Sequence, residues 1–390
     1  MKVQEVILRA ASGEITWIQA AHILGVRDRT MRRWKRRYEE HGYDGLLDRR
    51  RQRPSLKRAP LAEVERILRL YRERYDGFNA RHFWQTAQRE HDVTLSYTFV
   101  KEALQKGGLV KKRRARGRYF RRREPKACFG EMLYLDGSQH AWLALAPGEK
   151  QTLIAVIDDA TSRMLYGRLC EAEDTRSVMQ AMLQVTRTYG IPMAYYTDRA
   201  GWAFFTPKAG EEVDKTKATQ VGRALARLGV EHIPAYTAQA RGRSERLNGT
   251  LQDRLVNELK AAGVKTVDDA NRFISEVYMS RHNELFSRAP RDPASAFVAA
   301  TNVDLEQVFC IEETRVVAKD HTVAYANRCL QLDRHAARAA RPGTQVLVHE
   351  HLDESLSIWR GKRQLGSYTP QGEQHVVEET NVGKRRRRVA

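Results

Sequence analysis

Apolar positions recur with a helical period through the first hundred residues and then give way to continuous and alternating runs. Val3 to Ala11 predicts one helix. Thr16 opens a second through Ile18, Ala20, Ala21, Ile23 and Leu24, which Gly25 breaks, and Asp28 to Glu40 predicts a third with Met31, Trp34 and Tyr38 facing inward. Thr16 and Asp28 are suited to cap these helices, and the spacing is that of a helix-turn-helix. Leu61 to Tyr75, Ala80 to His91 and Ser96 to Lys106 repeat the arrangement, so a tandem all-α region is expected.

After residue 128 the pattern turns to strands. Met132 to Leu135 is an apolar run closed by Asp136; Thr152 to Ile157 is continuous and suits a central strand, and Met164 to Cys170 pairs back to it across the turn Asp158 to Ser162. A helix capped by Asp174 follows, then a strand from Ile191 ending at Asp198, a polar insertion at 206–217, a helix from Thr219 to Leu228 and a short strand at Val230 to Ile233. Leu247, Leu251, Leu255 and Leu259 mark the apolar stripe of a helix that begins near Glu245. Another helix spans Val267 to Arg281. From Phe309 onward helices are expected to stop, and short strands at 314–318, 322–325, 329–332, 345–349 and 355–359 predict a small β-barrel. The expected division is a helix-turn-helix domain at 1–48, a basic linker at 49–60, a second helix-turn-helix at 61–110, a basic linker at 111–127, an α/β domain at 128–300, the barrel at 305–370 and a basic, disordered tail at 371–390.

Charge sharpens this division. The net formal charge is +20, and residues 1–125 hold 32 Lys and Arg against 15 Asp and Glu. A near-neutral body led by a strongly basic third fits catalytic machinery delivered to a polyanion by separate modules. Arg29, Arg32, Arg33, Arg36 and Arg37 form the exposed side of the third helix, as a helix in a DNA groove requires. Arg50, Arg51 and Arg53 stand in an arm suited to phosphates, and Lys112, Arg113 and Arg114 open the second linker. Four widely spaced cysteines, Cys128, Cys170, Cys310 and Cys329, form no CxxC pair and read as buried, reduced thiols. With no long apolar span and no export signal, no membrane partner is expected, and a cytoplasmic, nucleoid-associated bacterial protein is.

Three carboxylates carry the candidate chemistry. Asp136 and Asp198 end apolar strands, and Glu245 lies in the first turn of an amphipathic helix. Two metal ions about 4 Å apart can activate a water or hydroxyl and stabilise the leaving oxygen of a phosphodiester, and Mg²⁺ prefers hard oxygen ligands. Asp158 and Asp159 read instead as turn-formers, and Asp253 as an exposed acid paired with Arg254 or Arg246. Arg241, Arg243 and Arg246 flank Glu245, placed either for DNA phosphates or for local charge balance. Trp142 and Trp202 read as packing.

The segments LYLDGSQHAWL, LIAVIDDATSRMLYGRL, YYTDRAGWAFF, QARGRSERLNGTLQDRL and RHNELFSRAPRDPASAF follow one another in the order and character of the retroviral-integrase-like core of bacterial insertion-sequence transposases. The resemblance covers about 128–300, and the flanking modules are similar to that family's layout. It implies a ribonuclease-H-like α/β core and Asp136, Asp198 and Glu245 as a DDE triad holding two Mg²⁺, for which Mn²⁺ substitutes. It further implies 3′-end nicking of transposon ends, strand transfer into target double-stranded DNA, and a homo-oligomer on DNA. Arg199-Ala200-Gly201 replaces the Asn-Gly that many relatives carry after the second acid, and the insertion at 206–217 lengthens the spacing to Glu245. The readings that compete are a sequence-specific DNA-binding regulator with an inert catalytic-like domain, and a plain nuclease of the same fold.

Overall fold

The computed structural model describes residues 3–46, 59–112, 124–146, 148, 150–206, 213–214, 217–236 and 242–374, the side chains of 242–244 excepted. The chain divides into two compact units, Met1–Arg69 and Leu70–Ala390.

In the first unit, α1 (Val3–Ala11), α2 (Trp17–Leu24) and α3 (Asp28–His41) enclose Val6, Ile7, Ala10, Ala20, Ala21 and Met31. Thr16 caps α2 as expected: its hydroxyl accepts from the Gln19 N–H while the Gln19 side chain accepts from the Thr16 N–H, and Gly25 ends the helix at φ 61°. Asp28 is not the cap of α3. Arg27 takes that extended position without a side-chain hydrogen bond, and Asp28 is the first helical residue, where its charge still favours the helix dipole. Helix α4 (Leu61–Arg74) spans the division between the units.

The second unit continues with α5 (Ala80–His91), capped by Asn79, and α6 (Tyr97–Lys106), capped by Ser96. Tyr71, Tyr75, Phe78 and Phe83 pack edge to face beside buried Val93, Val100 and Leu104. The strands and helices that follow are β1 (Cys128–Phe129), β2 (Leu133–His140), β3 (Gln151–Asp158), β4 (Met164–Cys170), α7 (Thr175–Tyr189), β5 (Ala194–Thr197), α8 (Gln220–Arg227), β6 (Glu231–Pro234) and α9 (Gly242–Ala261). They build a five-stranded sheet of order β4-β3-β2-β5-β6, antiparallel through β4, β3 and β2 and parallel through β2, β5 and β6.

Side-chain alternation along β2 assigns the faces. Leu133 and Leu135 join Val178, Met182, Val221 and Leu225 of α7 and α8 in one core. Tyr134 joins Leu251, Leu255 and Leu259 of α9 in the other, with Ile274 and Tyr278. The expected α/β core, one mixed sheet with helices on both faces, fits this arrangement. The β2 strand does not close at Asp136; it runs four residues further, to His140, because Gly137 to His140 keep pairing with Ile154 to Gln151 of β3.

Helix α10 (Val267–Phe273) passes through one π-helical stretch at Ile274–Tyr278 into α11 (Met279–Phe286), and β7 (Asp292–Ser295) pairs in parallel with β1. After α12 (Leu305–Val308) come β8 (Ile311–Val316), β9 (Thr322–Tyr325), β10 (Arg328–Gln331), α13 (Arg334–Ala339), β11 (Gln345–Glu350), β12 (Leu356–Arg360) and β13 (Arg363–Tyr368). Helices therefore do not stop at Phe309: Asp333 caps α13 through the His335 and Ala336 N–H groups, a local signal outweighed by the surrounding strand pattern. The region is a four-stranded sheet, β13-β12-β11-β8, and a separate β9–β10 hairpin sharing one core; among the described residues no ladder closes them into a barrel. All four cysteines are free, but only Cys310 is buried; Cys128 and Cys170 are half-buried and Cys329 is exposed on β10.

Candidate active site

Strand register brings two of the three candidate acids together. Leu133 stands opposite Tyr195 and Tyr134 opposite Tyr196 across the parallel β2–β5 ladder. Continuing that register sets Asp136 level with Asp198, on the same side of the sheet as Tyr134 and Tyr196. One small pocket is accordingly lined by Tyr134, Leu135, Asp136, Tyr196, Thr197, Asp198 and Ala235. Asp136 is buried, 8% exposed, within β2, whereas Asp198 is the first residue beyond β5 and half-buried. The Ala200 N–H donates to Asp198 Oδ1 at 3.0 Å, which ties the carboxylate to its own turn. Beneath it the Thr197 hydroxyl lies 2.9 Å from His232 Nε2, and burial pushes the His232 imidazole down to about 4.

Glu245 is not brought into this pocket. It lies exposed in the first turn of α9. The same helix nevertheless reaches the site one turn later: Asn248 Nδ2 donates to Asp136 Oδ2 at 3.0 Å, and Gln252 Nε2 to the Ser138 hydroxyl at 3.0 Å. Residues four apart on α9 thus meet residues two apart on β2, as a helix lying along a strand requires. Asn248 Oδ1 is buried without a hydrogen-bond partner. Neither amide was among the residues selected from the sequence; their signal is the spacing, three and seven residues past Glu245 on one helical face.

The other acids have structural roles. Asp158 is fully buried and accepts from the Gly130 N–H (2.9 Å), the Thr161 N–H (2.7 Å) and the Thr161 hydroxyl (2.6 Å), and Asp159 accepts from the Lys126 N–H (2.6 Å). Asp253 is exposed, but its hydrogen-bond partner is the Asn79 amide rather than an arginine. Trp142 and Trp202 are both buried.

Arg29, Arg32, Arg33 and Arg36 line one groove along α3 with Thr30, and Arg37 is exposed beyond them. Lys112 and Arg246 are exposed. Arg50, Arg51, Arg53, Arg113, Arg114 and Arg241 lie outside the described residues, as does the side chain of Arg243. Beside Asp198, the Arg199 guanidinium stacks 5.2 Å from the ring centre of exposed Tyr236. A separate grouping, Cys310, Glu312 and His349, has metal-ligating atoms within 4.8 Å of one another in the C-terminal region. Its carboxylate is already held by Arg223 at 3.0 Å and Arg227 at 2.7 Å, so it is an ion-paired cluster away from the acidic pocket.

A helix-turn-helix domain model matches residues 4–55 and a homeodomain-like domain model residues 30–104. Over 92% of its length the chain is 28% identical to y4bF of Sinorhizobium fredii (strain NBRC 101917 / NGR234), a transposase by inference, of which it covers 78%. It is 27% identical to the transposase for insertion sequence IS1202 of Streptococcus pneumoniae, over 83% of this chain and 76% of that protein. The chain is related to insertion-sequence transposases. Among solved structures, the HTLV-2 integrase catalytic core domain in complex with magnesium (trimeric form) aligns at 16% identity and TM-score 0.29, over 37% of this chain and 82% of that one. A simian T-cell lymphotropic virus intasome in complex with PP2A regulatory subunit B56 gamma aligns at 11% and 0.34, over 78% and 99%. Among the described residues no helix is long and apolar enough to cross a membrane.

Proposed function

We propose that the chain is a metal-dependent DNA transposase whose helical modules bind the ends of a mobile element and whose acidic pocket nicks and joins them. The observation that carries this reading is the shared pocket of Asp136 and Asp198, with α9 reaching Asp136 through Asn248. Two carboxylates on neighbouring strands, roughly 5 Å apart, repel by about 3 kcal/mol at an effective dielectric near 20. A hard divalent cation between them turns that repulsion into attraction, and carboxylate oxygens beside an amide oxygen without a partner are a donor set that suits it. Asp136 and Asp198 would hold the metal, with Glu245 approaching from the first turn of α9. When bound, Mg²⁺ lowers the pKa of a coordinated water and neutralises charge on the departing oxygen.

The chain's own residues supply the rest. Asn248 orients the Asp136 carboxylate, and the turn after β5 orients Asp198. The basic face of α3 supplies phosphate contacts and an element suited to a DNA groove, and exposed Lys112 and Arg246 add positive charge along a duplex. Pairing of two ends would require at least two copies of the chain on DNA. The test uses labelled oligonucleotides carrying the terminal sequences of the encoding element, with Mg²⁺ or Mn²⁺, comparing the native chain with Asp198→Asn. Metal-dependent nicks and joined products that vanish in the variant are expected. Selective binding with no cutting by either protein refutes the enzyme reading in favour of a regulator, and cutting without joining favours a nuclease.

A further inference from the structure

Helix α9 has two working faces. Leu251, Leu255 and Leu259 are fully buried against the sheet. Its other stripe, Asp253, Arg254, Asn257 and Glu258, makes a row of polar contacts to α5 and the residues just before it. Asp253 takes the Asn79 amide, Arg254 Nη2 donates to Gln85 Oε1 at 2.9 Å, Asn257 Nδ2 donates to the Gly77 carbonyl at 3.3 Å, and Glu258 Oε1 lies 3.0 Å from His82 Nε2. The His82 and Glu258 side chains are 2% and 9% exposed. Arg281 of α11 completes the set at 3.4 Å from Glu258.

The protonation states of this pair follow from their surroundings. Burial lowers the His82 pKa despite the neighbouring carboxylate. Burial also pushes Glu258 upward, but the His82 hydrogen bond and the charge of Arg281 outweigh it, so its pKa is lowered. The His82 ring nitrogen and the Glu258 carboxylate are thus each other's partner in a site almost closed to water. Removing one partner of such a buried pair strands the other, which ties the rotation and axial position of α9 to α5.

We propose that His82 and Glu258 are positioning residues for the acidic site, holding α9 in the register that sets Asn248 on Asp136 and from which Glu245, one turn earlier, would approach the two aspartates. This rests on the transposase reading above. Glu245 and Glu258 are 13 positions apart on one helix, roughly 20 Å at 1.5 Å per residue. A tilt of about 5° at the seam moves the Glu245 end by about 1.7 Å over that length. Displacement by 1 Å at a reacting centre can lower a rate by about 100-fold. The helical module after α4 is thereby a part of the catalytic body, and its seam with α9 sets how the third acid meets the other two.

The experiment compares the native full-length chain with His82→Leu, the donor-retaining His82→Gln, and a solvent-side pair, Asp253→Ala with Asn257→Ala, which leaves the buried pair intact. Single-turnover nicking of end DNA, affinity for that DNA, and hydrogen exchange of the 242–249 amides are measured on each folded variant. Expected for His82→Leu are a fall in the nicking rate of about 100-fold with KM and DNA affinity changed less than about threefold, faster exchange at 242–249, and recovery of most of both in His82→Gln. The solvent-side pair is expected to show the same changes in smaller degree. If His82→Leu does not fold, Glu258→Gln, which takes the charge out of the buried pair, decides: native rate and native exchange overturn the proposal. A purely structural seam would lower stability while leaving the rate of the folded fraction and the exchange of 242–249 unchanged, which also overturns it. If the native chain nicks no DNA, the transposase reading fails and exchange alone decides whether the seam orders the first turns of α9.

Discussion

Asp136 and Asp158 both stand on paired strands of one sheet, and the structure predicts opposite consequences when each is changed. Asp158→Ala strips the acceptor from three donors, the Gly130 N–H, the Thr161 N–H and the Thr161 hydroxyl, at a position with no solvent access. Stranding buried donors costs about 1–3 kcal/mol each, and the threonine hydroxyl can turn elsewhere, so a loss of about 3–5 kcal/mol is expected. Asp158→Asn keeps one acceptor oxygen. Burial already raises the Asp158 pKa, with the Thr161 and Gly130 hydrogen bonds opposing it more weakly, so loss of its charge is tolerable and about 1–2 kcal/mol is expected. Asp136→Asn removes charge from the acidic pocket and keeps a side-chain oxygen that can accept from Asn248 Nδ2; its stability should stay within about 1 kcal/mol of native while metal-dependent nicking disappears. Urea unfolding followed by fluorescence reads the relevant cores, because Trp142 and Trp202 are buried one in each of the two cores of the α/β sheet. Nicking assays on the folded fraction supply the second coordinate. The reasoning is refuted if Asp158→Ala unfolds like the native chain yet has lost cutting, or if Asp136→Asn still cuts.

Three further outcomes follow from the same geometry. Gly130→Ala should destabilise the core by about 3 kcal/mol in the same urea assay, since φ is +87° and the added methyl would lie 2.3 Å from a Phe297 ring carbon. Asn248→Ala should slow nicking at least about tenfold without weakening end-DNA binding, because it removes the donor that orients Asp136; equal losses in binding and rate would refute a role confined to the pocket. Burial pushes the His282 pKa down from 6.5 to about 4. The unfolded chain then takes up this proton first as pH falls, so the contribution is full above about pH 6.5 and wanes between there and about 4, by about 2 kcal/mol at pH 5. Melting temperature against pH for native and His282→Gln chains measures it, and parallel curves would contradict the assignment.

What could be read from the sequence was whatever local pattern alone determines. The apolar period fixed α1, α5 and β4 to the residue, and Thr16 and Asp174 cap the helices they precede. Asp158 was separable from Asp136 because Ala160-Thr161-Ser162 is a turn, and Ser162 indeed adopts φ 58°. The misses share one cause, partners distant in sequence. The extension of β2 past Asp136 depends on β3, whose residues alone supply the pairing. Strand β13, too, was not anticipated, because Arg363 to Tyr368 has little apolar alternation and is held by its ladder with β12. The polar stripe of α9 resembled an ordinary solvated face until α5 was placed against it, which is why Asp253 was assigned an arginine and received Asn79. Nor does any short-range pattern distinguish an exposed thiol such as Cys329 from a buried one such as Cys310.

The three acids differ in how firmly the chain fixes them, and the difference bears on mechanism. Asp136 and Asp198 are 62 positions apart, and 62 is also the offset of the β2–β5 ladder, 133 with 195 and 134 with 196. Hydrogen bonds between strands therefore set their separation, and slipping that ladder by one residue would turn Leu135, not Asp136, toward α9. Glu245 has no ladder. Its position follows from the packing of α9, whose fully buried leucines begin at Leu251 and whose polar seam begins at Asp253; nearer the acid the helix is held by partly buried Leu247 and the Asn248–Asp136 hydrogen bond. On the proposed reading, two carboxylates held by a sheet and a third carried on the first turn of a helix would make a site whose metal-binding half is preformed and whose completion depends on α9. Bound metal should accordingly protect the β2 and β5 amides little beyond their native level and protect 242–249 strongly. Equal protection of all three segments would mean that the sheet-held pair is itself assembled only on binding.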